Sequence, residues 1–115
     1  MDWQIKYLVM KNIIKTEFRS NSSLKINNYI LDKNSRRLVY MNKSLELTEK
    51  EIDLIELLKN QLFTKKKEIL ATIWGYSDEA DTHTVETHIY RLRKKISQKF
   101  GDEKFIKSEK KGYTI

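Results

Sequence analysis

Residues 83–96, HTVETHIYRLRKKI, place hydroxyl, phenol and guanidinium groups at helical intervals. Thr84, Thr87 and Arg91 recur at spacings of three and four, with Tyr90 beside them and Lys94 and Lys95 following. Such groups can hydrogen-bond to base edges, and arginine can bridge two acceptors of guanine. On the opposite side, Val85, Ile89, Leu92 and Ile96 form an apolar stripe. A helix of this kind can be anchored to a core while its cationic front presses into a DNA groove. Each front residue also has a plainer role open to it. Arg91 can simply face solvent, Thr84 can cap the helix start, and Tyr90 can fill a half-buried core position.

Other chemistry is sparse. His83 and His88 are the two histidines, five residues apart with no cysteine in the chain, which argues against a zinc site. Tyr76, Ser77, Asp78, Glu79 and Asp81 form a polar, acidic connector without a metal-ligand pattern. No cysteine nucleophile, glycine-rich phosphate loop or supported His–carboxylate pair is present, so no catalytic residue, metal or cofactor is expected. Lys104, Lys107, Lys110 and Lys111 gather near the C-terminus, and Lys65, Lys66 and Lys67 form a second basic run. Both suit phosphate contact or a solvated surface.

Three helices and a set of short strands must position these groups. Residues 24–26, 29–31, 37–41 and 45–47 favour strands, with turns at Asn27 and Asn28, at 32–35, and at Asn42 and Lys43. Thr48 with Glu51 three residues later is a capping box that opens a first helix. Its apolar face is Ile52, Ile55 and Leu58, extended by Leu57 and Leu62. A second helix runs from Thr64 or Lys65 to about Trp74, with Ile69, Leu70 and Ile73 inward and Gly75 ending it. The third runs from about His83 to Phe100. Residues 105–106 and 113–115 then pair as a lysine-bearing hairpin. Residues 3–18 carry a further amphipathic helix, followed by a polar break.

The chain has 115 residues, the size of one domain with short extensions. Its 23 basic and 16 acidic residues give a net charge of +7. Residues 83–115 carry +5, whereas residues 48–82 carry −3. The positive field therefore surrounds the third helix and the hairpin, where it would attract phosphate polyanions. Apolar runs are too short for a membrane span, and charges at Lys6 and Lys11 interrupt any signal-peptide core. The lack of cysteine fits a reducing cytoplasm.

In this order, the pieces Leu47-Thr48-Glu49-Lys50-Glu51, Ile73-Trp74-Gly75-Tyr76, residues 84–96 and Gly112-Tyr113 resemble the effector domain of OmpR/PhoB-type two-component response regulators. The resemblance covers residues 24–115. It implies an α+β winged helix-turn-helix: an N-terminal antiparallel sheet, a three-helix core and a C-terminal hairpin wing. It also implies sequence-specific double-stranded DNA binding, commonly at direct repeats by head-to-tail dimers, in a bacterial cytoplasm. Thr84, Thr87, Tyr90 and Arg91 then occupy base-facing positions. Arg93, Lys94 and Lys95, with Lys107, Lys110 and Lys111 of the wing, hold the DNA backbone. The connector carrying Tyr76, Ser77, Asp78, Glu79 and Asp81 faces RNA polymerase or its sigma subunit, and His88 packs and hydrogen-bonds within the domain.

Three departures stand out. Gln61, Leu62 and Phe63 replace a glycine-containing turn between the first two helices. Glu109, followed by Lys110 and Lys111, stands where the wing usually has an arginine before its glycines. This points to lysine–phosphate contacts in place of minor-groove reading by arginine. No receiver precedes the module in this sequence, and residues 1–23 resemble the last receiver helix and linker. Two alternatives to specific DNA reading remain at this point: a protein-interaction module that kept the fold, and a nonspecific nucleic-acid binder.

Overall fold

Short hairpin turns organise the first part of the chain. In the computed structural model, which describes residues 22–75 and 81–115, four antiparallel strands follow one another in sequence order. They are β1 (Ser23–Ile26), β2 (Tyr29–Asp32), β3 (Arg37–Tyr40) and β4 (Lys43–Glu46). The expected helix and receiver-like linker in the first residues lie outside the described residues. Asn27 takes a left-handed φ of 53° in the two-residue β1–β2 turn, a conformation asparagine tolerates well. The Asp32 carboxylate accepts from the Asn34 amide at 3.1 Å and organises the β2–β3 turn.

The β3–β4 turn corrects the expected strand. It consists of Met41 and Asn42, and Tyr40 pairs with Lys43, so β4 begins two residues before the expected Leu45. The pairing satisfies the ladder although Met41, not asparagine, adopts the left-handed φ of 55°. Leu24, Leu31, Leu38 and Leu45 align across the four strands on one face, toward the helices.

Helix α1 (Glu49–Asn60) begins with the expected capping box. The Glu51 amide donates to Thr48 Oγ1 at 3.2 Å, and the Thr48 amide donates to Glu51 Oε1 at 2.9 Å. Ile52, Ile55 and Leu58 are buried as expected, but Leu62 is 79% exposed. The helix ends at Gln61 in extended backbone, so Leu62 no longer shares its inward face. Helix α2 (Lys66–Ile69) continues as a π-helical segment (Leu70–Trp74), and Gly75 closes it with a left-handed φ of 68°. Helix α3 (His83–Phe100) has the expected bounds, and its apolar stripe is almost wholly buried.

The wing is β5 (Lys107–Glu109) paired with β6 (Gly112–Thr114), leaving Lys110 and Lys111 at the tip. Phe105 and Ile106 were expected in the first strand of this hairpin. Instead they are 4% and 2% exposed and belong to the core, and the strand begins only at Lys107, because burying two large apolar side chains outweighs pairing them in an exposed hairpin. Phe105 joins Tyr29, Tyr40 and Phe100 in an aromatic cluster linking the sheet to the end of α3. Burial and the hydrogen bond to Asp102 at 2.8 Å push the Tyr29 phenol above its ordinary pKa.

Candidate nucleic-acid interface

Successive residues of a helix turn by about 100°. Opposite the buried stripe of α3, this places Thr87, Tyr90, Arg91 and Lys94 along one face, all exposed. Tyr90 is 64% exposed, which removes the core role left open for it. Thr84 is half-buried at the edge of the face. It does not cap the helix: the Asp81 carboxylate accepts from the His83 amide at 2.8 Å instead. Asp81 is exposed at the helix entrance. Tyr76, Ser77, Asp78 and Glu79 lie outside the described residues.

Arg93 and Lys95 leave the front and lie on opposite flanks. Lys95 reaches back to α1, where its ammonium lies 2.7 Å from Glu51 Oε1. Glu51 is only 7% exposed, so one carboxylate caps α1 and also receives a cation from α3. On the other flank, Arg93 donates Nε–H and Nη2–H to the Ile106 carbonyl at 3.2 and 2.9 Å. Two of the expected backbone cations thus already have partners inside the domain. Lys94, Lys107, Lys110 and Lys111 are exposed, with the Lys111 ammonium 5.6 Å from the Phe63 ring centroid.

The wing stands beside this face because Thr64 pairs with Tyr113. Each amide donates to the other's carbonyl at 2.9 Å, and Thr64 is fully buried. Gly112 permits the approach: an added Cβ would lie 2.4 Å from the Thr64 oxygen. Between this wing and the starts of α2 and α3 runs an open cleft of about 520 Å³. Lys65, Lys66, Lys67 and Lys110 line it, together with Glu109. The Lys66 ammonium pairs with Glu86 of α3, which holds the Glu86 carboxyl below its ordinary pKa and raises that of Lys66.

The Trp74 ring lies against His88 with centroids 4.8 Å apart and planes tilted by 59°, joining the end of α2 to α3. Lys50 donates to the Ile73 carbonyl at 2.9 Å and lies 5.9 Å from the Trp74 ring centroid. The second role of Glu51, the pairing of Thr64 and the contacts of Lys50 arise only in the folded domain. Only the Thr48–Glu51 and Gly112–Tyr113 patterns hinted at the first two.

The fold and this basic face define a winged-helix DNA-binding domain. The profile for "Transcriptional regulatory protein, C terminal" matches residues 42–115, and the chain belongs to that family, the effector domains of OmpR/PhoB-type regulators. The family serves DNA binding for transcription regulation and not catalysis. The chain is 38% identical over 82 residues to the heme response regulator HssR of Staphylococcus aureus, covering 69% of this chain. It spans only about a third (36%) of that relative's length. The DNA-binding domain of E. coli CadC superposes with a TM-score of 0.66 at 20% identity, covering 79% of this chain and 88% of the other. The Klebsiella pneumoniae RstA DNA-binding domain, solved in complex with RstA box, gives 0.65 at 22% identity, covering 81% and 95%. No described helix is long and apolar enough to cross a membrane.

Proposed function

We propose that residues 24–115 act as a sequence-specific reader of double-stranded DNA, with α3 in the major groove. Thr84, Thr87, Tyr90 and Arg91 face the bases, and Arg91 supplies the main guanine contact. Lys94 of α3 and Lys107, Lys110 and Lys111 of the wing take phosphates, and Lys65 and Lys67 extend that track along the cleft. The observation that carries this assignment is the exposed row Thr87, Tyr90, Arg91 and Lys94 directly opposite the buried stripe of α3. Direct-repeat sites and pairing of two copies on DNA are part of the same proposal. So are a bacterial cytoplasmic location and a polymerase-facing role for the connector that ends at Asp81.

Selection from a random duplex pool tests it. A selected repeat is expected to bind tighter than scrambled duplex at near-physiological salt; equal binding would reject specific reading. Arg91→Ala is expected to reduce discrimination by about 1–3 kcal/mol at its base pair without lowering the melting temperature. Glu109 in the wing favours a second reading, a protein-interaction module. In that case, partner binding would survive Arg91→Ala and selected duplex would show no advantage in the parent protein.

A further inference from the structure

Beside the approach of Lys111 to Phe63 at its tip, the wing is tied to the rest of the domain at three kinds of contact. Thr64 pairs with Tyr113, while Phe105 and Ile106 enter the core. The third tie comes from α3 itself. Arg93 gives two donors to the carbonyl of Ile106, the residue immediately before β5. Its guanidinium carbon also lies 5.8 Å from the ring centroid of Tyr113, in β6. One planar group therefore touches the root of the first wing strand and a side chain of the second. Its geometry suits arginine: the fork reaches one carbonyl through two N–H groups while the flat face lies near an aromatic ring.

We infer that Arg93 is a positioning residue for DNA reading, setting the wing against α3 so that both engage one duplex together. This rests on the groove assignment proposed above. Arg93 acts through the Ile106 carbonyl and the Tyr113 ring, and the phosphate track is left to the exposed lysines. The inference separates Arg93 from Arg91, two residues earlier on the same helix. Arg91 acts on the ligand and Arg93 acts on the wing. Retaining positive charge is therefore insufficient at position 93, because lysine offers neither the fork nor the flat face.

The test is a double-mutant cycle on selected and scrambled duplexes, with Arg93→Gln and Arg93→Lys each made alone and with Lys110→Ala/Lys111→Ala. Arg93→Gln is expected to weaken binding to selected duplex about tenfold. Arg93→Lys is expected to recover less than half of that loss on a logarithmic scale. In the wing lacking Lys110 and Lys111, either change at Arg93 should cost less than about threefold, because Lys107 is then the one phosphate-facing lysine of the wing left to position. Full recovery by lysine together with additive losses would overturn the inference and return Arg93 to the phosphate contacts. Should Arg93→Gln unfold, Arg93→Lys decides between the two outcomes, with thermal denaturation confirming its fold. If the parent protein fails to prefer selected duplex, specific reading falls. The same cycle on scrambled duplex still reports whether Arg93 couples to the wing lysines.

Discussion

Helix α3 and the β5–β6 wing both present cations, but they are held in place by different physics. Val85, Ile89, Leu92 and Ile96 seat α3 through an apolar stripe spread over three turns. The wing, with β5 exposed and β6 half-buried, depends on a close backbone pairing at Thr64, two buried residues at its root, the Tyr113 side chain against the core and the Arg93 fork. Distributed burial tolerates the loss of one polar contact. A short hairpin has few contacts to share the load, so its placement rests on individual atoms. By this difference α3 is the more firmly seated of the two and the wing the more adjustable.

The largest expected effect breaks the helix side of this comparison. Leu92→Ala removes a fully buried side chain between α3 and the core and should cost about 3 kcal/mol. Thermal denaturation should show the midpoint falling by roughly 10–20 °C. Gly112→Val attacks the wing. Its Cβ would meet the Thr64 oxygen at 2.4 Å, and valine is strained at a φ of 128°. We expect a loss of about 2 kcal/mol. Amide shifts concentrated at Thr64 and residues 107–114 would support a local lesion, whereas equal shifts throughout α3 would refute the separation of the two regions.

Glu51→Gln sharpens the role of the flank facing α1. The amide oxygen can still accept from the Thr48 amide, but the Lys95 cation loses its ionised partner. A loss of about 1 kcal/mol in denaturant titration is expected; no change would mean that the ion pair contributes nothing to seating α3. The smallest effect lies at the exposed Lys66–Glu86 pair. Lys66 lowers the folded pKa of Glu86, so the pair's contribution is present above the ordinary carboxylate pKa. It is lost as pH falls through the depressed value. Lys66 is raised by Glu86, so its share is present below the ordinary lysine pKa and lost as pH rises through the raised one. Melting curves of the parent and Glu86→Gln should differ slightly at neutral pH and converge in acid. Glu86 also faces His83 at 3.0 Å, so the deciding range lies below the depressed Glu86 value, where a persisting gap would contradict this sign.

Much of the helix side was legible in advance. The four-three-four spacing of Val85, Ile89, Leu92 and Ile96 predicted both the bounds of α3 and its buried face, because helical neighbours are close in sequence. The capping box was legible for the same reason. The wing was less so. Phe105 and Ile106 suit a strand by residue type, and nothing local shows that the core takes them first. The start of β4 was misplaced because Asn42 invites a turn one residue later than Met41 supplies it.

The order of residues was enough to define a helix with an apolar back and a cationic front, and to mark its place in a winged-helix series. Those properties follow from intervals of three and four residues along one backbone. The destinations of its flanking cations could not be read that way. Arg93 meets a carbonyl 13 residues away, and Lys95 meets a carboxylate 44 residues away. Such partners exist only once the chain has closed on itself, when burial and distance divide the charges facing outward from those that hold the domain together.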